Sequence, residues 1–159
     1  MKEIIPGIVK GEMMTKIFEK ILIATDGSEN NSAAVEKGLA IARQCGSIVY
    51  VVYVIDTRIF DSAEPIMSPV SGDIYTKIKD EGEKAVEHVK QIANGMKVEP
   101  LVLSGRPAHI ITEFAVKNNV DLIVVGSQGK SGLERLLLGS VAESIIRMAD
   151  CMVLVVKST

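Results

Sequence analysis

Tryptophan is absent from this 159-residue chain, and its aromatic residues amount to three tyrosines and three phenylalanines. Stacking platforms of the kind that hold single-stranded nucleic acid are therefore missing. Positive charge is not in surplus either: 18 Lys and Arg stand against 20 Asp and Glu, a net charge of −2, which excludes the basic footprint of a nucleic-acid-binding domain. No apolar run approaches the roughly 18 residues that span a bilayer. The longest, IVYVVYVI from Ile48, has the length of a buried strand. The N-terminal segment lacks an apolar stretch followed by a small-residue cleavage site, so no secretory signal is indicated. Cys45 and Cys151 are the only cysteines, and they fit neither a metal-ligand spacing nor a disulfide framework. Both are expected to act as small hydrophobic residues. These absences predict a cytoplasmic protein without nucleic-acid or membrane partners.

What is present suffices for one core: 47% of residues are hydrophobic and 24% charged, as in an ordinary single domain. Residues 1–18 hold Pro6, Gly7 and Gly11 without a sustained period and read as an N-terminal arm ahead of a domain spanning residues 19–159. Residues 21–25 form a β-branched run closed by Asp26, Gly27 and Ser28, a buried strand opening into a turn. The next segment aligns Ala34, Gly38, Ile41, Ala42 and Cys45 on one helical face, and Gly46 stands where the helix should stop. Gly38 costs that helix up to about 1 kcal/mol against Ala, which a close approach of helix to sheet would explain. Residues 48–55 are apolar on both faces, as expected of a strand covered from two sides.

Residues 56–72, with Pro65 and Pro69, read as a structureless loop able to fold over a ligand. Beyond it, Ile74, Ile78, Ala85, Val89 and Ile92 follow the helical period over residues 73–93, with an interruption at Glu81 and Gly82. Residues 98–103 form a third strand, which Pro100 assigns to a sheet edge. Pro107 opens a helix burying Ile110, Ile111, Phe114 and Ala115, with Asn118 and Asn119 to end it. Residues 121–125 make a fourth strand, Val141, Ile145 and Met148 bury a last helix, and residues 152–156 make a fifth strand. Such alternation predicts an α/β fold, a doubly wound parallel sheet with helices on both faces. Its ligands would bind beyond the carboxyl ends of the strands, where the strand order reverses.

The stretch carrying the chemistry is VGSQGKSGLERLLLGS, residues 125–140. Gly126 and Gly129 follow a strand, and Gly139 and Ser140 begin a helix. Glycines allow close approach of a ligand to the backbone, and a helix start offers unpaired N–H groups to an anion, phosphate above all. The alternative is local: the glycines make a tight turn, and Ser140 caps its own helix with Glu143 completing a capping box. A Walker A loop is excluded, because Val124 stands where its first glycine belongs. A dinucleotide fingerprint is excluded by the G-x-x-G spacing after a fourth rather than a first strand.

Gly126, Gly129, nine intervening residues, Gly139 and Ser140 resemble the nucleotide-binding signature of the universal stress protein family. ILIATDGSENNSAAVEKGLAIA, YVID, SGRPAHII and VLVVK agree with it in order, so the resemblance covers roughly residues 20–157. It implies five strands in the order 3-2-1-4-5, with the reversal between strands one and four. Asp26 and Gly126 would then face each other across one crevice.

The implied ligand is ATP, or ADP or AMP, with magnesium held only through phosphates. Ala24, Thr25, Asp26 and Val125 would line the crevice, and the backbone of Val54 would read the adenine edge. Gly126 would admit the ribose and first phosphate, while Gly129, Gly139, Ser140 and the amide of Val141 would hold the phosphates. Gln128 departs from the His or Arg of many relatives, which weakens the hold on a terminal phosphate. Asp26 is able to accept from ribose hydroxyls or an adenine amine, or simply to form an Asx-turn with Gly27 or Ser28.

The family further implies a homodimer through the last strand, although Met152 replaces a common Pro there. It also implies a role in stress response through a downstream protein that the sequence does not name. Two other readings stand beside this one. A slow Mg-dependent ATPase lacks a base, since His88 lies on a charged, solvated helix face and His109 near a helix start is expected to have no carboxylate or nucleophile at a telling spacing. A dimeric interaction module without nucleotide is the other.

Overall fold

The computed structural model describes residues 17–61, 69–129 and 138–157. Its elements run β1 (Lys20–Ala24), α1 (Glu29–Cys45), β2 (Ile48–Asp56), α2 (Arg58–Asp61), α3 (Pro69–Ile92), β3 (Val98–Gly105), α4 (Pro107–Asn118), β4 (Leu122–Gly126), α5 (Ser140–Met148) and β5 (Met152–Val156). The strands pair in parallel in the order β3-β2-β1-β4-β5. This is the expected doubly wound sheet, with the order reversing between β1 and β4.

Alternation along the strands divides the core into two layers. Ile21, Ile23, Val49, Val51, Tyr53, Leu122 and Val124 face α1 and α3, whereas Leu22, Tyr50, Val52, Ile123 and Val125 face α4 and α5. Because both faces are covered, β1, β2 and β4 read as unbroken apolar runs. Pro100 lies on β3, an edge strand, as its missing N–H requires. Gly46 ends α1 in the left-handed region at φ 62°, donating to the carbonyl of Ala42, and Asn119 ends α4 likewise at φ 52°.

Gly38 is the close approach foreseen for α1. A Cβ there would stand 2.7 Å from Cδ1 of Ile23 and 3.4 Å from Cγ1 of Val124, both buried in the sheet. The interruption at Gly82 has the same cause, because the ring of Tyr53 occupies the place of its side chain, 2.6 Å from the ideal Cβ.

Several expectations need correction. Residues 56–72 are not a structureless loop: α2 occupies Arg58–Asp61 and α3 begins at Pro69. The Asp56 carboxylate accepts from the Arg58 N–H at 3.0 Å and from its guanidinium, starting α2 locally, and this guanidinium holds Asp56 below the usual carboxylate range. Pro65 lies outside the described residues, as do residues 1–16 of the expected arm. Phe18, at the end of that arm, packs on the core.

Ile74 and Ile92 are 44% and 45% exposed rather than buried. Near the end of α3 the buried stripe runs through Val86 and Val89 to Ala93, 4%, 3% and 0% exposed, and Ile92 stands beside that stripe, whereas Ile74 belongs to the opening turns, where Tyr75 is 39% exposed as well. Met148 is 45% exposed, since the buried stripe of α5 runs through Ala142 and Ile145. Among the described residues no helix is long and apolar enough to cross a membrane.

Gly38→Ala is expected to destabilise the fold by about 1–3 kcal/mol through overpacking, despite alanine's better helix propensity. Urea unfolding checks the sign, and a gain in stability would contradict the described contact.

Candidate functional site

The pairing of β1 with β4, through Ile21 with Leu122, Leu22 with Ile123 and Ile23 with Val124, carries both strands to a common end. Thr25 continues the sheet by donating its N–H to the carbonyl of Val52 at 2.9 Å. Ala24, Thr25, Asp26, Val54, Val125, Gly126 and Val141 thereby line one cavity of about 140 Å³. Asn31, Val52, Pro107 and Ile111 complete its walls. A second cavity of about 390 Å³ adjoins it, sharing Pro107 and Val141, and holds Ser140, Arg58, Arg106 and His109. The crevice is thus apolar at the β2 and α4 side and polar toward α5. A groove of about 690 Å³ between α3 and β3 lies at the sheet edge away from these strand ends.

Asp26 does two things. Its Oδ1 accepts from the N–H of Ser28 at 2.9 Å and from the Ser28 hydroxyl at 2.6 Å, so the Asx-turn exists. Its Oδ2 faces the loop after β4, where a Cβ on Gly129 would stand 3.4 Å away. The Thr25 hydroxyl accepts from the N–H of Gly27 at 3.2 Å, which leaves it little to offer a ligand as an acceptor.

The loop glycines are partly explained by the protein itself. A Cβ on Gly126 would lie 3.0 Å from Asn31 Nδ2 and 3.3 Å from the Gln128 carbonyl oxygen, and one on Gly139 would lie 3.1 Å from the Ser127 carbonyl oxygen. Gly139 also donates its N–H to that Ser127 carbonyl at 2.8 Å. Neither of the two adopts a positive φ, so close approach rather than unusual backbone accounts for them.

The capping box is not formed. Gly139, not Ser140, is the N-cap residue, no side chain caps the helix, and Ser140 is its first residue. Glu143 instead accepts from Arg147 at 2.6 Å, one turn further along the helix and away from its start. The N–H groups of Ser140, Val141 and Ala142 have no intrahelical carbonyl to bond and open with the positive end of the dipole.

The structure therefore brings together seven of the expected residues in one cavity, with Gly129 against Asp26 and Ser140 in the adjoining space. Gln128 is half-buried and lines neither cavity. Sequence reasoning missed Asn31, Val52, Pro107, Ile111 and Arg106 as wall residues. Asn31 had a signal: it precedes Ala34 and Gly38 on the same helical stripe, a polar residue at the head of a buried face. It is only 4% exposed. Its Nδ2 donates to the Ala24 carbonyl at 3.3 Å, while its Oδ1 has no partner. An acceptor left so costs about 1–3 kcal/mol.

Neither histidine enters the 140 Å³ cavity. Among the described residues no group of three metal-ligating side chains occurs, and both cysteines are free. Burial pushes the Cys151 thiol up, in keeping with its packing role beside the α4–α5 layer.

Fold and crevice together define a doubly wound α/β domain with a concave site at the strand-order reversal. Its family follows from the comparisons, for the profile of the universal stress protein family matches residues 17–157. Universal stress protein MJ0531 of Methanocaldococcus jannaschii is 43% identical over 146 residues, covering 89% of this chain and 83% of that protein. The solved structure of the hypothetical protein MJ0577 superposes with a TM-score of 0.81 at 31% identity, over 90% of this chain and 98% of that one. A universal stress protein in complex with cAMP superposes with a TM-score of 0.63 at 25% identity, over 89% and 98% of the two chains. This chain belongs to the universal stress protein family.

Ser140→Ala is expected to change stability by less than about 0.5 kcal/mol, because no cap bond is lost. A loss of 1 kcal/mol or more in chemical denaturation would restore the capping role.

Proposed function

We propose that this protein is an adenine-nucleotide switch of the stress response, binding ATP, ADP or AMP in the crevice between β1 and β4. The observation that carries the reading is the meeting of Asp26, Gly126 and the start of α5 around one cavity at the strand-order reversal. The cAMP complex of a relative supports an adenine nucleotide as the class of ligand.

The residues fit such a guest. Val52, Val54, Ile111 and Val125 offer apolar walls to a base, and the backbone of Val54 presents its edge. Gly126 and Asp26 lie beside the sugar. Gly129, Gly139, Ser140 and the Val141 amide receive the phosphates, with the dipole of α5 favouring negative charge. Arg58 and Arg106, in the adjoining cavity, add positive charge near that end. Magnesium would ride on the phosphates, and the hydroxyl of Ser140 is positioned to approach it through water. We assign no hydrolytic step, since the carboxylate nearest the cavity, Asp26, already holds Ser28.

The same reading places the protein in the cytoplasm as a homodimer joined by β5, reporting occupancy to a downstream protein. β5 is the edge strand beside β4, a template for pairing. Its leading residue, Met152, is 64% exposed.

Thermal unfolding with ATP, ADP, AMP and GTP tests the site. Adenine nucleotides at about a hundred times their dissociation constant are expected to stabilise by about 2.7 kcal/mol, raising Tm by roughly 5–10 °C, whereas GTP has no effect. Val141→Trp, which fills the junction of the two cavities, is expected to remove the shift. No shift with any nucleotide would leave the interaction module as the better reading. Sedimentation at micromolar concentration is expected to give a dimer, and a monomer would remove the β5 contact.

A further inference from the structure

The carboxamide of Asn31 is the one buried side-chain group among the described residues with an unpartnered polar atom, and it lines the crevice. Its orientation is set by its neighbours. Nδ2 lies 3.3 Å from the Ala24 carbonyl oxygen, an acceptor that demands the nitrogen, so exchanging the two atoms would set oxygen against oxygen. The orphan is therefore Oδ1, an acceptor in need of a donor. A buried acceptor without one is costly, and such groups in native proteins call for an explanation such as a ligand.

Position narrows the kind of donor. Asn31 lies against Gly126, with Nδ2 3.0 Å from the place of a Cβ on that residue, and shares the cavity with Asp26. Asp26 and Gly126 stand at the ends of β1 and β4, with Asn31 in the first turn of α1 beside them, between Val54 on β2 and Ser140 at the start of α5. A nucleotide with its base at Val54 and its phosphates at Ser140 puts its sugar in this middle span. A carbonyl-type acceptor repels phosphate oxygens and suits a hydroxyl.

We propose that Asn31 is a further ligand-contacting residue, whose Oδ1 accepts a hydrogen bond from a ribose hydroxyl of the bound nucleotide. This rests on the nucleotide reading given above. It makes Asn31 a determinant of sugar recognition, beside the free Oδ2 of Asp26 and apart from the groups that hold base and phosphate.

The test compares ATP with 2′,3′-dideoxy-ATP, which keeps base and triphosphate, by calorimetric titration of the full chain and of Asn31→Leu and Asn31→Ser. Either variant serves if the other fails to fold. Wild type is expected to bind ATP about tenfold more tightly than the dideoxy analogue, the worth of one such bond. In the variants the preference for ATP should fall severalfold below that of wild type, what remains being the share of Asp26, with affinity for the analogue little changed. Equal binding of both nucleotides to wild type overturns the assignment, as does a preference undiminished in the variants. Either of those results leaves the nucleotide site standing. Absence of binding by both nucleotides overturns the assignment together with the reading beneath it.

Discussion

The parallel pairing of β1 with β4 is the contact on which the rest of the molecule depends. β1 also pairs with β2, and the helix that follows β1, α1, lies on one face of the sheet, whereas the helix that follows β4, α5, lies on the other. Connections depart to opposite sides, and the ends of the two strands are left uncovered between them. Side-chain interactions secure the pairing at its start. The carboxylate of Asp121 accepts from the N–H groups of Glu19 and Lys20 at 2.8 and 2.9 Å, and Lys20 Nζ donates to the Asn118 carbonyl at 2.7 Å. A one-residue slip of β1 would send Ile21 and Ile23 to the wrong face, and Asp26 would no longer meet Gly126.

Most elements were legible because their periods are strong. The buried stripe of α1, the continuous apolar run of β2 and the Pro107 start of α4 all appear where pattern and turn chemistry put them. Strand order was not legible from periodicity, since any parallel arrangement buries the same residues, and it came through the resemblance to a family. α2 escaped because four residues carry no period, and its start depends on the side chain of Asp56 reaching Arg58. Ile92 was misplaced because the buried stripe of α3 passes beside it, through Val89 to Ala93, and Ile74 because it lies in the opening turns, where Tyr75 is exposed as well. Met148 was misplaced by a small rotation of the buried stripe of α5.

The candidate site was legible in part. The spacing of Gly126, Gly129, Gly139 and Ser140 marked the right region, but not why each residue is there. Gly126 and Gly139 make room for Asn31 and for the Ser127 carbonyl, so they shape the scaffold as well as any ligand. Asp26 is divided in the same way, one oxygen holding the turn and the other facing Gly129. Ser140, read as a possible cap, is instead the first residue of its helix with a hydroxyl the helix does not use. Asn31 had a signal in its place at the head of the buried stripe of α1, but its unpaired Oδ1 is visible only in the arrangement of Ala24 and Gly126 around it.

The most direct test of the central claim is a crystal structure of the protein grown with ATP and magnesium. The account predicts density between the ends of β1 and β4, with the base against Val54 and Ile111 and the phosphates at Gly129, Gly139 and Ser140. Density in the α3–β3 groove instead, or a crevice that excludes nucleotide at millimolar concentration, would contradict it.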